Sequence, residues 1–149
     1  MMKINALCLC VLLTCVALTA GCSKEIRCAL SGTVTSNGEP VPVGVVNFIP
    51  ESAEGSGASC GITDGTYKMT PAAGLLAGKY KVVVNATITR DKKSGELVDI
   101  DDVKDGNVDP SAVEQIDLVP PKFGAQSEQV VEINGKDKTM VYDITMVDE

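Results

Sequence analysis

The chain of 149 residues contains no histidine and no tryptophan. The missing histidine excludes Ser-His-Asp and Cys-His nucleophilic catalysis, His-ligated zinc or iron, and the commonest general base. The missing tryptophan removes the side chain on which sugars most often stack. Three Tyr and two Phe are the whole aromatic complement; Phe48, Tyr67, Tyr80, Phe123 and Tyr142 lie on apolar-patterned stretches and read as core. Basic residues are also scarce, 13 against 20 acidic ones. A net charge of −7 argues against nucleic acid, whose phosphates need Lys and Arg, and against adhesion to anionic lipid by charge alone.

What is present begins with a leader. Residues 1–21 carry one charged side chain, Lys3, followed by an apolar run that ends in Thr19, Ala20 and Gly21. This is the pattern of an exported signal peptide helix; the run is short for a spanning helix and charge follows it closely. Without Lys3 the remainder holds 12 basic residues against 20 acidic, a net −8. Cys22 follows the small residues directly, where bacterial lipoprotein signals are cut and a diacylglyceryl group is attached to the cysteine. Leu18 stands one place earlier than the usual leucine, and Thr19 occupies its position. More than one acyl chain gives stable anchoring, at about 0.8 kcal/mol per buried CH₂. The expectation is therefore a lipid anchor at Cys22, a short tether over 22–27 and a membrane partner. Ser23, in place of Asp, resembles an outer-membrane destination facing the periplasm.

Of six cysteines, Cys8, Cys10 and Cys15 fall in the leader. With Cys22 modified, Cys28 and Cys60 remain. Cys28 shares parity with Leu30 and Val34, and Cys60 with Ile62, so both point to the core. A disulfide would close a loop of about 30 residues and contribute roughly 3–4 kcal/mol. Two buried free thiols fit the same pattern.

Residues 28–147 read as one all-β domain. Period-two strands cover Cys28–Thr35, Val41–Pro50, Cys60–Thr63 and Lys79–Thr89, the last expected to be central. "SNGE" at Ser36–Glu39 is a turn signal, and Asp-Gly at 64–65, followed by "TYKMT", signals a tight hairpin. A polar, acidic loop over 90–124 holds one short helix, capped by Asp109 with Pro110 at its first position. "SEQVVEI" and "KTMVYDITMV" close the domain, joined at "NGKD" as a hairpin. About seven strands result, at β-sandwich spacing.

Asp99, Asp101, Asp102, Asp105 and Asp109 cluster in the acidic loop. With Gly106 as the glycine of a calcium loop, Asp101 and Asp105 fit, but Val103 and Ala112 occupy ligand positions. A solvated acidic loop is the favoured reading, and no cofactor is expected. The "NAT" sequon at Asn85–Thr87 reads as accidental.

"SGTVTSNGEPVPVGVVNFIP" resembles the opening of bacterial carboxypeptidase regulatory-like (transthyretin-like) domains, carried here by Gly32, Val34, Gly38, Pro40, Val45 and Phe48. "TDGTY" is similar to the family's T-D-x-x-G-x-Y segment at Thr63, Asp64, Gly65 and Tyr67, shorter by two residues. "GKYKV" resembles its G-x-Y-x-V strand at Gly78, Tyr80 and Val82. "LVPPKFG", with Phe123 for the usual Tyr, and "VVEINGKDKTMVYDITM" are similar to the end of small lipoproteins of planctomycete-type bacteria. The resemblance implies a prealbumin-like (Ig-like) sandwich of about seven antiparallel strands. Such folds carry many functions. The expected function is that of a lipid-anchored cell-envelope protein with a non-catalytic structural or protein-interaction domain. The alternative is an extracytoplasmic binding module for a glycan, peptide or metal ion.

Overall fold

The computed structural model describes residues 25–52 and 55–148. The leader, Cys22 and Ser23 lie outside them. The described chain is all-β, with mostly antiparallel pairing. Its strands are β1 (Ala29–Ser36), β2 (Glu39–Pro40), β3 (Val43–Pro50), β4 (Ala58–Thr63), β5 (Thr66–Lys68), β6 (Gly78–Asn85), β7 (Thr87–Asp91), β8 (Leu97–Val98), β9 (Val113–Asp117), β10 (Val130–Ile133), β11 (Thr139–Val141) and β12 (Ile144–Met146). One short helix, α1 (Ile100–Lys104), lies between β8 and β9.

Two hairpins follow from local chemistry. Asn37 and Gly38 both have positive φ, as do Asp64 and Gly65, so each pair makes the two-residue turn whose twist matches its flanking strands. The main sheet runs β10-β6-β3-β4-β5-β1-β11, with β2 and β12 also paired to β1. Side chains from both ends of this order meet in one core: Val131 and Ile133 of β10 share it with Leu30 and Val34 of β1 and Ile144 and Met146 of β12. The sheet is therefore curled around that core. Phe48, Tyr67 and Tyr80 fill its middle, and the Phe48 and Tyr67 rings lie 6.1 Å apart at 44°.

The expected antiparallel set differs at the end of the chain. β11 and β12 run parallel to β1 in one unbroken register: Ser31 faces Val141 and Val34 faces Ile144. Between them the ladder is interrupted without an inserted residue. Tyr142 N–H still donates to the Ser31 carbonyl at 2.9 Å. A regular parallel ladder would next join Thr33 N–H to the Tyr142 carbonyl. Instead that carbonyl accepts the Tyr67 hydroxyl at 2.7 Å. The Asp143 carboxylate takes its place, accepting Thr33 N–H at 2.7 Å and Thr33 Oγ1–H at 2.9 Å. A Cβ at residue 32 would overlap the Tyr142 carbonyl oxygen, so only glycine fits there.

Three further expectations are corrected. The long strand expected over Lys79–Thr89 is two strands in two sheets, broken at Ala86. The Ala86 carbonyl turns to accept Leu118 N–H at 2.9 Å, and Gly44 makes room, since a Cβ there would lie 2.8 Å from Ala86 Cβ. The stretch expected as an irregular acidic loop contains a three-stranded sheet, β8-β7-β9. "NGKD" is a tight turn, with Asn134 Oδ1 accepting Lys136 N–H at 2.9 Å, but it joins no hairpin. β10 pairs with β6 and β11 pairs with β1, because each fills a different open edge of the curled sheet. The short helix expected after Asp109 is present as a 3-10 turn over Pro110–Ala112, with Asp109 as its cap and Pro110 at its first position.

Two outcomes are expected. Tyr67→Phe leaves the Tyr142 carbonyl without its donor and lowers the unfolding free energy by about 1–3 kcal/mol in urea titrations, and Gly32→Ala lowers it further. The Asp143 carboxyl is held below its ordinary value of 3.8, first by Thr33 N–H and then by the Thr33 hydroxyl. A depressed folded value means stability is fully present above about pH 3.8 and is lost as pH falls through the folded value. Acid titration of Asp143→Asn should show a shallower loss than wild type.

Candidate functional site

The second sheet is positioned by its middle strand. β7 continues from β6 through the break at Ala86 and pairs along its whole length with β9, from Thr87 opposite Asp117 to Asp91 opposite Val113. The turn after β7 is closed by Asp91, whose Oδ1 accepts Lys93 N–H and Ser94 N–H, both at 2.8 Å. These backbone donors hold its carboxyl below the ordinary range. The sheet is fastened to the main body where Ser36 Oγ–H donates to the Leu118 carbonyl at 2.8 Å.

A cleft of about 430 Å³ opens between this sheet and the β1–β2 hairpin. Its walls include Pro40, Val41, Ile88, Leu97 and Leu118, with Arg90 among them. Ile88 is buried, whereas Leu97 is 56% exposed. On the other side of Leu97 lies a second depression of about 420 Å³, lined by Val43, Ile88 and Ile100 among others. Large apolar side chains left in water at neighbouring positions mark contact surfaces more often than isolated ones do. At the opposite end of β1, Glu25, Ile26, Arg27, Pro71, Ala72, Lys138 and Thr139 line a shallow groove of about 810 Å³.

The acidic residues are occupied locally. Asp99 caps α1 by accepting Asp101 N–H at 2.9 Å, and Asp101 pairs with Lys104 at 2.7 Å. Asp102 accepts from Asn107 Nδ2 at 3.3 Å. Asp109 accepts Ser111 N–H and Oγ–H, both at 2.8 Å, which lowers its pKa. Asp105 ends α1 through its backbone. Asp101 and Asp105, the calcium candidates, thus stand at the two ends of a helical turn. Among the described residues no three His, Cys, Asp or Glu side chains are grouped to hold a metal.

Cys28 and Cys60 both turn towards the core, but they are separate free thiols. Cys28 is buried at the mouth of β1, bridged to Leu75, and Cys60 stands opposite Val46 on the neighbouring strand. Burial first, then the charge of Asp137, raises the Cys28 pKa. Four of the five aromatics are buried in the core, and Tyr142 packs half-buried against it. Tyr67 stays protonated at any ordinary pH, through burial first and then its neighbours Tyr142 and Asp143.

No family model matches the chain, and no curated protein is similar to it at a significant level. Among solved structures, a 9R-lipoxygenase from Cyanothece PCC8801 aligns with 83% of this chain at 8% identity and a TM-score of 0.32. The chain spans only 17% of that protein's length, and a likeness this low carries no argument about fold or activity.

Sequence reasoning passed over Arg90 because it opens a polar run that reads as solvated. The available signal was its parity with Ile88 in "TITRD", which places it on the apolar face of a strand. In full-length protein treated with iodoacetamide without reductant, Cys60 is expected to react in the native state and Cys28 only on unfolding. Peptide mapping checks this; two unreactive thiols in denaturant would mean a disulfide.

Proposed function

We propose that this is a lipid-anchored, non-catalytic domain of the cell envelope, a prealbumin-like sandwich of the carboxypeptidase regulatory-like type that presents an interaction surface away from its membrane. The observation that carries the reading is the polarity of β1. The chain that leads from Cys22 enters at Ala29, while the second sheet and its cleft gather beyond Ser36. Eight extended residues separate the two ends by roughly 23 Å at ~3.3 Å per residue. A tether at one pole and an added small sheet with its cleft at the other is the layout of a domain held near a bilayer with its working surface turned outward. The length and composition of residues 90–124 support that use, since binding residues concentrate on elements added to a rigid scaffold.

A non-catalytic role is supported by the chemistry available. The chain has no His, and in its acidic stretch Asp99 and Asp109 are engaged as caps and Asp101 as the partner of Lys104. The resemblance in the Gly32, Tyr67 and Tyr80 segments supports the sandwich type. Gly32 and Tyr67 are the two residues that receive the Tyr142 carbonyl. A binding-module reading is favoured by the cleft beside Arg90.

The test of the anchor is the mass of the native amino-terminal peptide from a membrane fraction. The expected product begins at Cys22 and carries acyl chains on it, and Cys22→Ala abolishes the adduct. An unmodified Cys22 thiol in that fraction would remove the tether from this account.

A further inference from the structure

Arg90 carries a buried Nε–H that meets no acceptor among the described residues. The residue opposite it across β9 is Glu114, which stands on the same face of the sheet. Even so, no ion pair joins them, and Arg90 makes none with any other described carboxylate. A buried donor left unpaired opposes folding and calls for an explanation. A ligand in the cleft cannot reach that buried atom, but the same half-buried guanidinium lines the cleft, and its Nη groups have no hydrogen-bond or ion-pair partner among the described residues, which leaves them for a ligand.

The rest of the lining narrows the ligand. Pro40, Ile88, Leu97 and Leu118 give apolar walls. The polar groups nearby are already engaged: Ser36 Oγ–H donates to Leu118, and Asn37 exchanges hydrogen bonds with Asp148 at 3.1 Å. Glu39, also in the lining, is exposed and brings a negative charge that opposes a second one on the ligand. The guanidinium fork matches a carboxylate, two parallel N–H···O bonds to two oxygens. The volume, about 430 Å³, is at the small end of ligand pockets.

We propose that this cleft binds a monocarboxylate with a compact apolar body, its carboxylate paired end-on with the two Nη groups of Arg90 and its apolar part against Pro40, Leu97 and Leu118. The proposal deepens the binding surface of the previous section and is independent of the lipid at Cys22. The carboxylate could belong to a free branched acid or to the end of a peptide, and the assay separates the two.

The experiment is ligand-observed NMR by saturation transfer on full-length protein in mild detergent, which holds it with or without an acyl anchor, wild type and Arg90→Met. The probes are 4-methylpentanoate, its amide, the peptide acid acetyl-Gly-Leu and inorganic phosphate. Saturable binding of 4-methylpentanoate is expected, with a dissociation constant of about 1 mM or tighter. The amide and the Arg90→Met protein should each bind at least about tenfold more weakly, and phosphate should not compete. Acetyl-Gly-Leu binding more tightly than the free acid assigns the site to peptide ends; weaker binding assigns it to free acids. Absence of saturable binding of both acids, or equal binding by Arg90→Met, overturns the proposal. A folding readout accompanies it. Because the guanidinium has no partner to lose among the described residues, Arg90→Met should melt at the wild-type temperature or above. A fall of more than about 5 °C would make Arg90 a structural residue and overturn the proposal too. The anchor is read by mass and the cleft by NMR, so each can fail alone.

Discussion

The Tyr142 carbonyl is where the first and last strands of this domain are locked together. It leaves the parallel ladder, takes the hydroxyl of Tyr67 from inside the core, and fits only because residue 32 has no side chain. The Thr33 N–H it abandons is satisfied by Asp143. One displaced carbonyl therefore ties β1, β5 and the β11–β12 edge to each other. Each donor and acceptor released by the interruption finds a replacement, which is the condition for breaking a ladder inside a fold.

With β1 held on both edges, the rest of the sheet can curl. β5 and β2 pair along one side of β1, and β11 and β12 along the other. The core closes between the two ends of the strand order, over Phe48 and Tyr80. The same strand sets the functional axis. Its first residue receives the chain coming from Cys22, and its last, Ser36, holds the second sheet through Leu118. The cleft beside Arg90 exists because β7 leaves the plane of the main sheet at Ala86 while remaining attached to it.

The readable parts of the fold were those decided locally. The Asn-Gly and Asp-Gly turns, the inward parity of Leu30 and Val34, and the cap at Asp109 depend on residues within a few positions of one another. The break at Ala86 was hidden because "KYKVVVNATIT" alternates without interruption; only Gly44, forty residues away, makes room for it. The β8-β7-β9 sheet was hidden because β9, "VEQID", has mostly polar side chains and is held by backbone pairing to β7. The pairing of β11 with β1 was hidden because a turn signal such as "NGKD" bends the chain without naming the edge it reaches. The second sheet and Arg90 were missed together, since an arginine in a polar run looks solvated until its strand has neighbours.

By itself, the sequence determined the all-β class, the turns, the inward-facing set of side chains and the absence of histidine chemistry, because each follows from residue type and short-range spacing. Only the tertiary structure decided which edges pair, where one strand becomes two, that Cys28 and Cys60 stay apart, and that Arg90 lines a cleft without a partner among the described residues. Those outcomes depend on groups far apart in the chain competing for the same hydrogen bonds and the same space. No local pattern records that competition.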